Sequence, residues 1–162
     1  MKPDEIQTIF NYNYWANQKL LTAGAKVTQQ QFEAPGSFPY GGLRGTLVHV
    51  MDAEYAWRMR LSGDLATKDM AETDFPTISS LEERWKNEEK GMRGWLAGIK
   101  PEALDGTIEY TIDSGAKRKR VLWHCLYHVV NHGTQHRSEA AALLTDFGQS
   151  PGDVDFTLFL NG

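Results

Sequence analysis

The chain has very little cysteine: Cys125 is the only one among 162 residues. A single thiol cannot form a disulfide within the chain, and such a composition is typical of proteins from a reducing compartment. The sequence also lacks a signal peptide and any apolar run long enough to cross a bilayer. We therefore expect a cytoplasmic protein that has no membrane partner.

Basic residues are also fewer than acidic ones. The sequence has 17 lysines and arginines and 21 aspartates and glutamates, which gives a formal net charge of -4. The one concentrated basic run, residues 117–120, is short and predicts a solvated turn before the last helix. A negative net charge disfavours broad attraction to phosphate groups, so we expect no nucleic-acid partner.

The distribution of apolar residues predicts one all-α domain spanning residues 1–162. A hydrophobic content of 41% over this length is enough for one well-packed core and too little for two. Four stretches have helical periodicity, and their connections are longer than a simple up-and-down bundle requires. The predicted helices cover, approximately, residues 4–24, 43–61, 80–99 and 122–144.

Two features accompany the predicted bundle. Alternating apolar residues at 107–113, followed by a turn at Asp113, Ser114 and Gly115, predict a short β-hairpin before the last helix. The outer face of that helix is too apolar for open water, which favours a dimer contact there. This outer face carries Trp123, Tyr127, Val130, Thr134 and Ala141.

Four of the five histidines recur at every fourth residue of the last predicted helix: His124, His128, His132 and His136. Residues four apart lie one turn apart on the same face, so two neighbours can offer imidazoles to one metal ion. Each step of four advances about 40° around the helix, so all four cannot converge. The centre of the apolar stripe lies between His132 and His136.

The fifth histidine, His49, faces inward on the second predicted helix. Three imidazoles from two helices would leave a fourth coordination position for water or substrate, as in catalytic metal sites. Other metal-site signatures are missing: Gly133 follows His132, which excludes HExxH, and no glutamate precedes a histidine by three residues. The alternative for these histidines is ordinary packing within the bundle.

Polar residues on the other helices need partners or solvent. Asn13 and Asn17 interrupt the apolar face of the first helix and must form hydrogen bonds inside the bundle or at a pocket wall. Glu88 on the third helix is expected at the edge of the apolar stripe, reaching solvent, rather than in a pocket. Glu54 is expected to point away from the His49 face. Cys125 is interpreted as a buried apolar filler rather than a nucleophile.

Several short motifs resemble those of the DinB/YfiT-like metalloenzymes. They are WAN at 15–17, LVH at 47–49 and NHxxxHR at 131–137, followed by Gly148 and Pro151. The similarity covers nearly the whole chain, and the NHxxxHR segment is its most specific part.

The resemblance implies an up-up-down-down four-helix bundle, frequently dimeric, with one divalent metal ion held by histidines of the second and fourth helices. Carried over to this chain, the implied ligands are His49, His132 and His136, with His128 a neighbour. Ser138 replaces the glycine that often follows the His-Arg pair, which is a small-for-small change. Zinc or nickel is expected, and iron also suits imidazole ligands.

The resemblance also implies a small-molecule substrate, since some relatives are transferases or isomerases that use low-molecular-weight thiols. The hypothesis is that the metal activates a thiol or water for attack on a small electrophile, in a cavity lined by Asn17, Trp57 and Glu88. Asn17 and Glu88 are then candidate catalytic residues. The alternative is a non-catalytic, dimeric stress protein that binds a metal or another ligand.

Overall fold

A computed structural model describes residues 1–64, 68–112 and 114–162. It confirms the predicted all-α fold, with a two-stranded antiparallel hairpin before the last long helix. None of the described helices is long and apolar enough to span a membrane. The elements are α1 (Pro3–Gly24), α2 (Gln29–Glu33), α3 (Leu43–Leu61), α4 (Ile78–Ala97), β1 (Thr107–Thr111), β2 (Lys117–Val121), α5 (Leu122–Asp146) and α6 (Phe156–Leu160).

The four long helices enclose the core. α5 packs against α1 and α3, and α4 packs against the same two helices. Burial of the apolar stripes between them supplies the main stabilising force, as in any helix bundle. The buried apolar side chains form two clusters, one around Leu47, Trp85 and Leu144 and the other around Phe10 and Leu126.

Side-chain caps mark the starts of two helices, α4 and α2. α4 begins at Ile78, before the predicted start at residue 80, because Thr77 accepts a hydrogen bond from a backbone N–H of the first turn. The predicted loop at 29–42 starts with the short helix α2, which is capped in the same way by Thr28. Both threonines head a capping box, which satisfies donors that the helix itself leaves unpaired.

The basic run of the sequence forms a strand of the hairpin. Residues 117–120 lie in β2 rather than in a solvated turn, and Tyr110 of β1 pairs with Arg118 in the antiparallel register. The strand prediction is confirmed over Thr107–Thr111, whereas Asp113 of the predicted turn lies outside the described residues. The hairpin places its first strand against α3, beside the predicted metal site.

The segment after α5 packs back over α1. The Tyr12 hydroxyl donates a hydrogen bond to the Val154 carbonyl at 3.0 Å, and the rings of Trp15 and Phe159 lie 5.7 Å apart. On the outer face of α5, Val130 is buried. Tyr127 on the same face remains 50% exposed. The predicted dimer contact stays a prediction, for which Val130 is not accessible.

Candidate metal centre

Three histidines meet between α3 and α5. His49 comes from α3, and His132 and His136 come from successive turns of α5. One ring nitrogen from each lies within 4.8 Å of the others. The structure thus brings together the three residues that the family resemblance implies as ligands.

The spacing of these nitrogens fits a single ion. His49 Nε2 and His132 Nε2 are 3.1 Å apart. Two imidazoles at the usual zinc–nitrogen distance of about 2.0–2.1 Å in a tetrahedral site would place their nitrogens roughly 3.3 Å apart. Without an ion, the same separation suits a hydrogen bond between one protonated and one bare nitrogen. The donor set of three imidazoles is one that zinc, nickel and iron all accept.

Glu139 orients one of the three imidazoles. The Nδ1 atom of His136 lies 2.7 Å from the Oε2 atom of Glu139, one turn further along α5. This hydrogen bond occupies Nδ1 and leaves Nε2 as the nitrogen free to bind an ion, an arrangement typical of metal-binding histidines. Sequence reasoning missed Glu139, although its i+3 spacing from His136 was a usable signal.

The surroundings keep two of the imidazoles neutral. Burial, followed by repulsion from His132 and His136, lowers the pKa of His49 to about 4. Burial and neighbouring charged groups, with His136 first among them, likewise lower the pKa of His132 to about 4. Metal ions bind the neutral imidazole, so both side chains are in the binding-competent form at neutral pH.

Tyr40 covers one side of the histidine cluster. Its ring stacks on His49 with 3.3 Å between centroids and lies edge-on to His136 at 5.2 Å. Tyr40 comes from the loop between α2 and α3, where Gly41 adopts a left-handed φ of 76° that an L-residue would resist. No periodic pattern in the sequence pointed to Tyr40, because loop residues follow no helical pattern.

Two cavities adjoin the cluster. The first, about 530 Å³, lies between the Tyr40 loop and α3 and includes His49 and Asp52 in its walls. The second, about 370 Å³, lies between α3, the hairpin and α5, and we call it the hairpin cavity. Trp57, the predicted wall residue, lines the hairpin cavity. The residues that line the hairpin cavity are Trp57, Tyr110, Arg120, His124, Cys125 and His128.

Asn17 lies in a buried polar cluster rather than in the wall of either cavity. The side-chain amides of Asn13 and Asn17 donate to Glu54 Oε1 at 2.7 and 2.9 Å. Their carbonyl oxygens accept from the guanidinium of Arg137, with 2.9 Å to Asn17. The expectation that both asparagines find hydrogen-bond partners inside the bundle is confirmed.

Glu54, which was expected to point away from the His49 face, is buried against other helices, with its residue only 4% exposed. α1 and α4 cover that side of α3, and Trp85 Nε1 of α4 donates to Glu54 Oε2 at 2.9 Å. Burial raises the pKa of Glu54, while the hydrogen bonds from Asn13, Trp85 and Asn17 oppose that rise. All three donors favour the ionised carboxylate, whose charge Arg137 balances.

The expectation that Glu88 reaches solvent is wrong, since the residue is 3% exposed. Arg58 donates to its Oε2 from Nε and Nη2 at 2.9 and 2.7 Å, and Arg84 donates to Oε1. Two guanidinium groups compensate the loss of hydration, which is the condition under which a glutamate is buried. Glu88 therefore lies in an ion-pair cluster between α3 and α4, with both carboxylate oxygens engaged.

Comparisons with known proteins agree with this architecture. A sequence model described as the DinB family matches residues 2–162. The chain belongs to the DinB family. It is also 24% identical over 159 residues to Protein DinB of Bacillus subtilis (strain 168), an alignment that covers 94% of this chain and 91% of that relative. The family resemblance predicted from the sequence motifs is thereby confirmed.

Proposed function

We propose that this DinB-family protein is a metal-dependent enzyme that holds one divalent ion, zinc or nickel first and iron next, on His49, His132 and His136. The observation that supports this most directly is the approach of three ring nitrogens to within 4.8 Å of one another. In this proposal, the site activates a thiol or a water molecule for attack on a small electrophile in the cytoplasm.

A divalent ion on three neutral imidazoles retains its full net charge and lowers the pKa of a coordinated water or thiol toward neutrality. The protein contributes the conditions for this chemistry. Glu139 fixes the orientation of His136, and burial keeps His49 and His132 unprotonated. Tyr40 shields one face of His49 from water.

The proposal favours a low-molecular-weight thiol as cosubstrate over a macromolecular one. The cavities on either side of the cluster have volumes of about 530 and 370 Å³, which are typical of sites for small molecules. A thiol and an electrophile would each have a separate approach to the centre. Neither Asn17 nor Glu88 has a place in this scheme, because other residues already engage their side-chain polar atoms.

Elemental analysis of untagged protein, purified without a nickel column, tests the metal site. We expect about one zinc, nickel or iron per chain, lost in His132→Ala and retained in His124→Ala, the matched control from the same helix. Metal-loaded protein is then assayed with low-molecular-weight thiols and small electrophiles. A native protein without stoichiometric metal, or full turnover by metal-free His49→Ala, would contradict the proposal.

Removal of the metal separates catalysis from the rival role of a non-catalytic stress protein. A catalytic centre built on a preformed bundle should stay folded when stripped and lose only activity, whereas a structural site should melt. The two buried apolar clusters support the first outcome, because they do not depend on the three histidines. We also propose a homodimer through the exposed part of α5 around Tyr127, which a monomeric mass by light scattering would exclude.

A further inference from the structure

The hairpin cavity combines flat walls with a positive charge. The ring of Trp57 stands at 61° to that of Tyr110 with 5.1 Å between centroids, and at 60° to the His128 ring at 5.4 Å. Aromatic faces arranged in this way hold planar groups by dispersion and edge-to-face contacts. The volume of about 370 Å³ is large enough for a small ring system with its substituents.

Arg120 supplies the charge. In the described part of the chain, Arg120 donates a hydrogen bond to the neighbouring Lys119 carbonyl, at 2.9 Å, and no carboxylate is among the residues that line the cavity. The charge of Arg120 reaches the cavity interior, where it opposes the rise that burial imposes on the pKa of the Cys125 thiol. A guanidinium with free donors binds carboxylates and other oxyanions well.

The hairpin cavity also lies near the candidate metal centre. His128 lies one turn before His132 on α5, and their rings are 5.7 Å apart. On the facing helix, Trp57 follows His49 by two turns. A ligand in the cavity would therefore lie close to the proposed metal ligands on both helices.

We infer that the hairpin cavity binds a small planar organic anion, with its acidic group on Arg120 and its flat part against Trp57 and Tyr110. The inference that this cavity holds a substrate rests on the proposed function. The inference that the cavity binds an anion is independent of that function, because none of the residues that line the cavity is a proposed metal ligand. The positive charge of Arg120 would attract anions to this cavity, although the chain as a whole has a net charge of -4.

Calorimetric titration with 2-naphthoate tests the inference, with 2-naphthalenemethanol as the neutral match and acetate as the anion without a ring. We expect naphthoate to bind about tenfold more tightly than either control compound, because a charged hydrogen bond to arginine and ring contacts are both required. The indole N–H signal of Trp57, assigned through Trp57→Phe, should shift in proton–nitrogen spectra as naphthoate is added.

The decisive variant is Arg120→Gln, with Lys119→Gln as its matched control. Lys119 is adjacent on β2 but lies on the opposite face of the strand, where its ammonium is 3.6 Å from Glu109. We expect Arg120→Gln to weaken naphthoate binding about tenfold and Lys119→Gln to leave it unchanged. Both residues are exposed, so neither change should disturb folding, and thermal melts of both variants check this.

Metal content is measured on the same samples, and each titration is repeated after chelation. Arg120-dependent binding that survives chelation supports the site even if the protein proves inactive. Equal affinity in Arg120→Gln, equal affinity for the neutral alcohol, or binding that disappears with His132→Ala but not with Arg120→Gln would overturn the inference. The last of these outcomes would assign the anion to the metal instead.

Discussion

The Nδ1 atom of His136 and the Oε2 atom of Glu139 are 2.7 Å apart on one face of α5. The carboxylate lies mostly inside the protein, with its side chain 15% exposed. A buried acceptor on one ring nitrogen fixes the tautomer of the imidazole and makes the other nitrogen more basic. The relationship identifies Glu139 as a positioning residue for the candidate metal centre.

Loss of this carboxylate should weaken metal binding without abolishing it. We expect Glu139→Ala to lower zinc affinity by about 10- to 100-fold, and Glu139→Gln, which keeps an acceptor oxygen, by less. Competition with a chromophoric chelator measures the affinity. Asp146→Asn, a change of an exposed acid at the end of the same helix, is the control. Unchanged affinity in Glu139→Ala would show that His136 needs no such support.

Acidification should destabilise the metal-free protein through His49 and His132. Burial lowers the pKa of each to about 4 from an ordinary value of 6.5, so between these two values the unfolded chain binds more protons than the folded one. Stability therefore falls as the pH drops through this window. Urea unfolding at several pH values should show a shallower decline in His49→Asn, while His124→Asn serves as the exposed control. Parallel curves for wild type and His49→Asn would contradict the prediction.

The buried charges of Glu54 and Arg137 should be strongly coupled. Arg137→Met leaves the carboxylate inside the bundle without a balancing charge, which costs about 3–5 kcal/mol of the free energy of unfolding. Adding Glu54→Gln removes that charge and should recover part of the loss, a coupling of about 1–3 kcal/mol. Lys86→Met, which breaks an exposed pair with Glu82, should cost well under 1 kcal/mol. Additive effects of Arg137→Met and Glu54→Gln would refute the coupling.

Periodicity was sufficient to predict the four long helices and the convergence of His49, His132 and His136. Helical spacing determines which residues share a face, and the apolar stripe of α5 already pointed inward between His132 and His136. The hairpin strand β1 was predictable for the same reason, because alternation marks one covered face. These features depend on local order along a single element.

Features that depend on how several helices surround one another were not predictable. Glu54 of α3 and Glu88 of α4 are buried because these two helices pack against each other, which a wheel for either helix alone cannot show. Their burial depends on partners distant in sequence: Arg137 is 83 residues from Glu54, and Arg58 is 30 residues from Glu88. Tyr40 reaches His49 through a loop, and loops carry no periodic signal.

Gly133, next to His132 on α5, should resist replacement although it lies within a helix. A methyl group there would lie 2.6 Å from Arg137 Nη1 and 3.0 Å from Asn13 Oδ1, inside the hydrogen bond that joins those residues. Alanine gains about 1 kcal/mol over glycine in helix propensity, but separating this buried contact should cost more. We expect Gly133→Ala to lower the free energy of unfolding by about 1–3 kcal/mol.

Gly94 on α4 provides the matched control, because a methyl group there meets no atom within 4 Å. Gly94→Ala should therefore stabilise the protein by about 0.5–1 kcal/mol, since only the propensity gain and the reduced freedom of the unfolded chain remain. Urea unfolding of the metal-free variants compares the two directly. A loss of stability in Gly133→Ala together with a gain in Gly94→Ala would show that the Arg137–Asn13 contact requires glycine at this turn of α5. Stabilisation by both substitutions would mean that the buried polar cluster tolerates expansion beside His132.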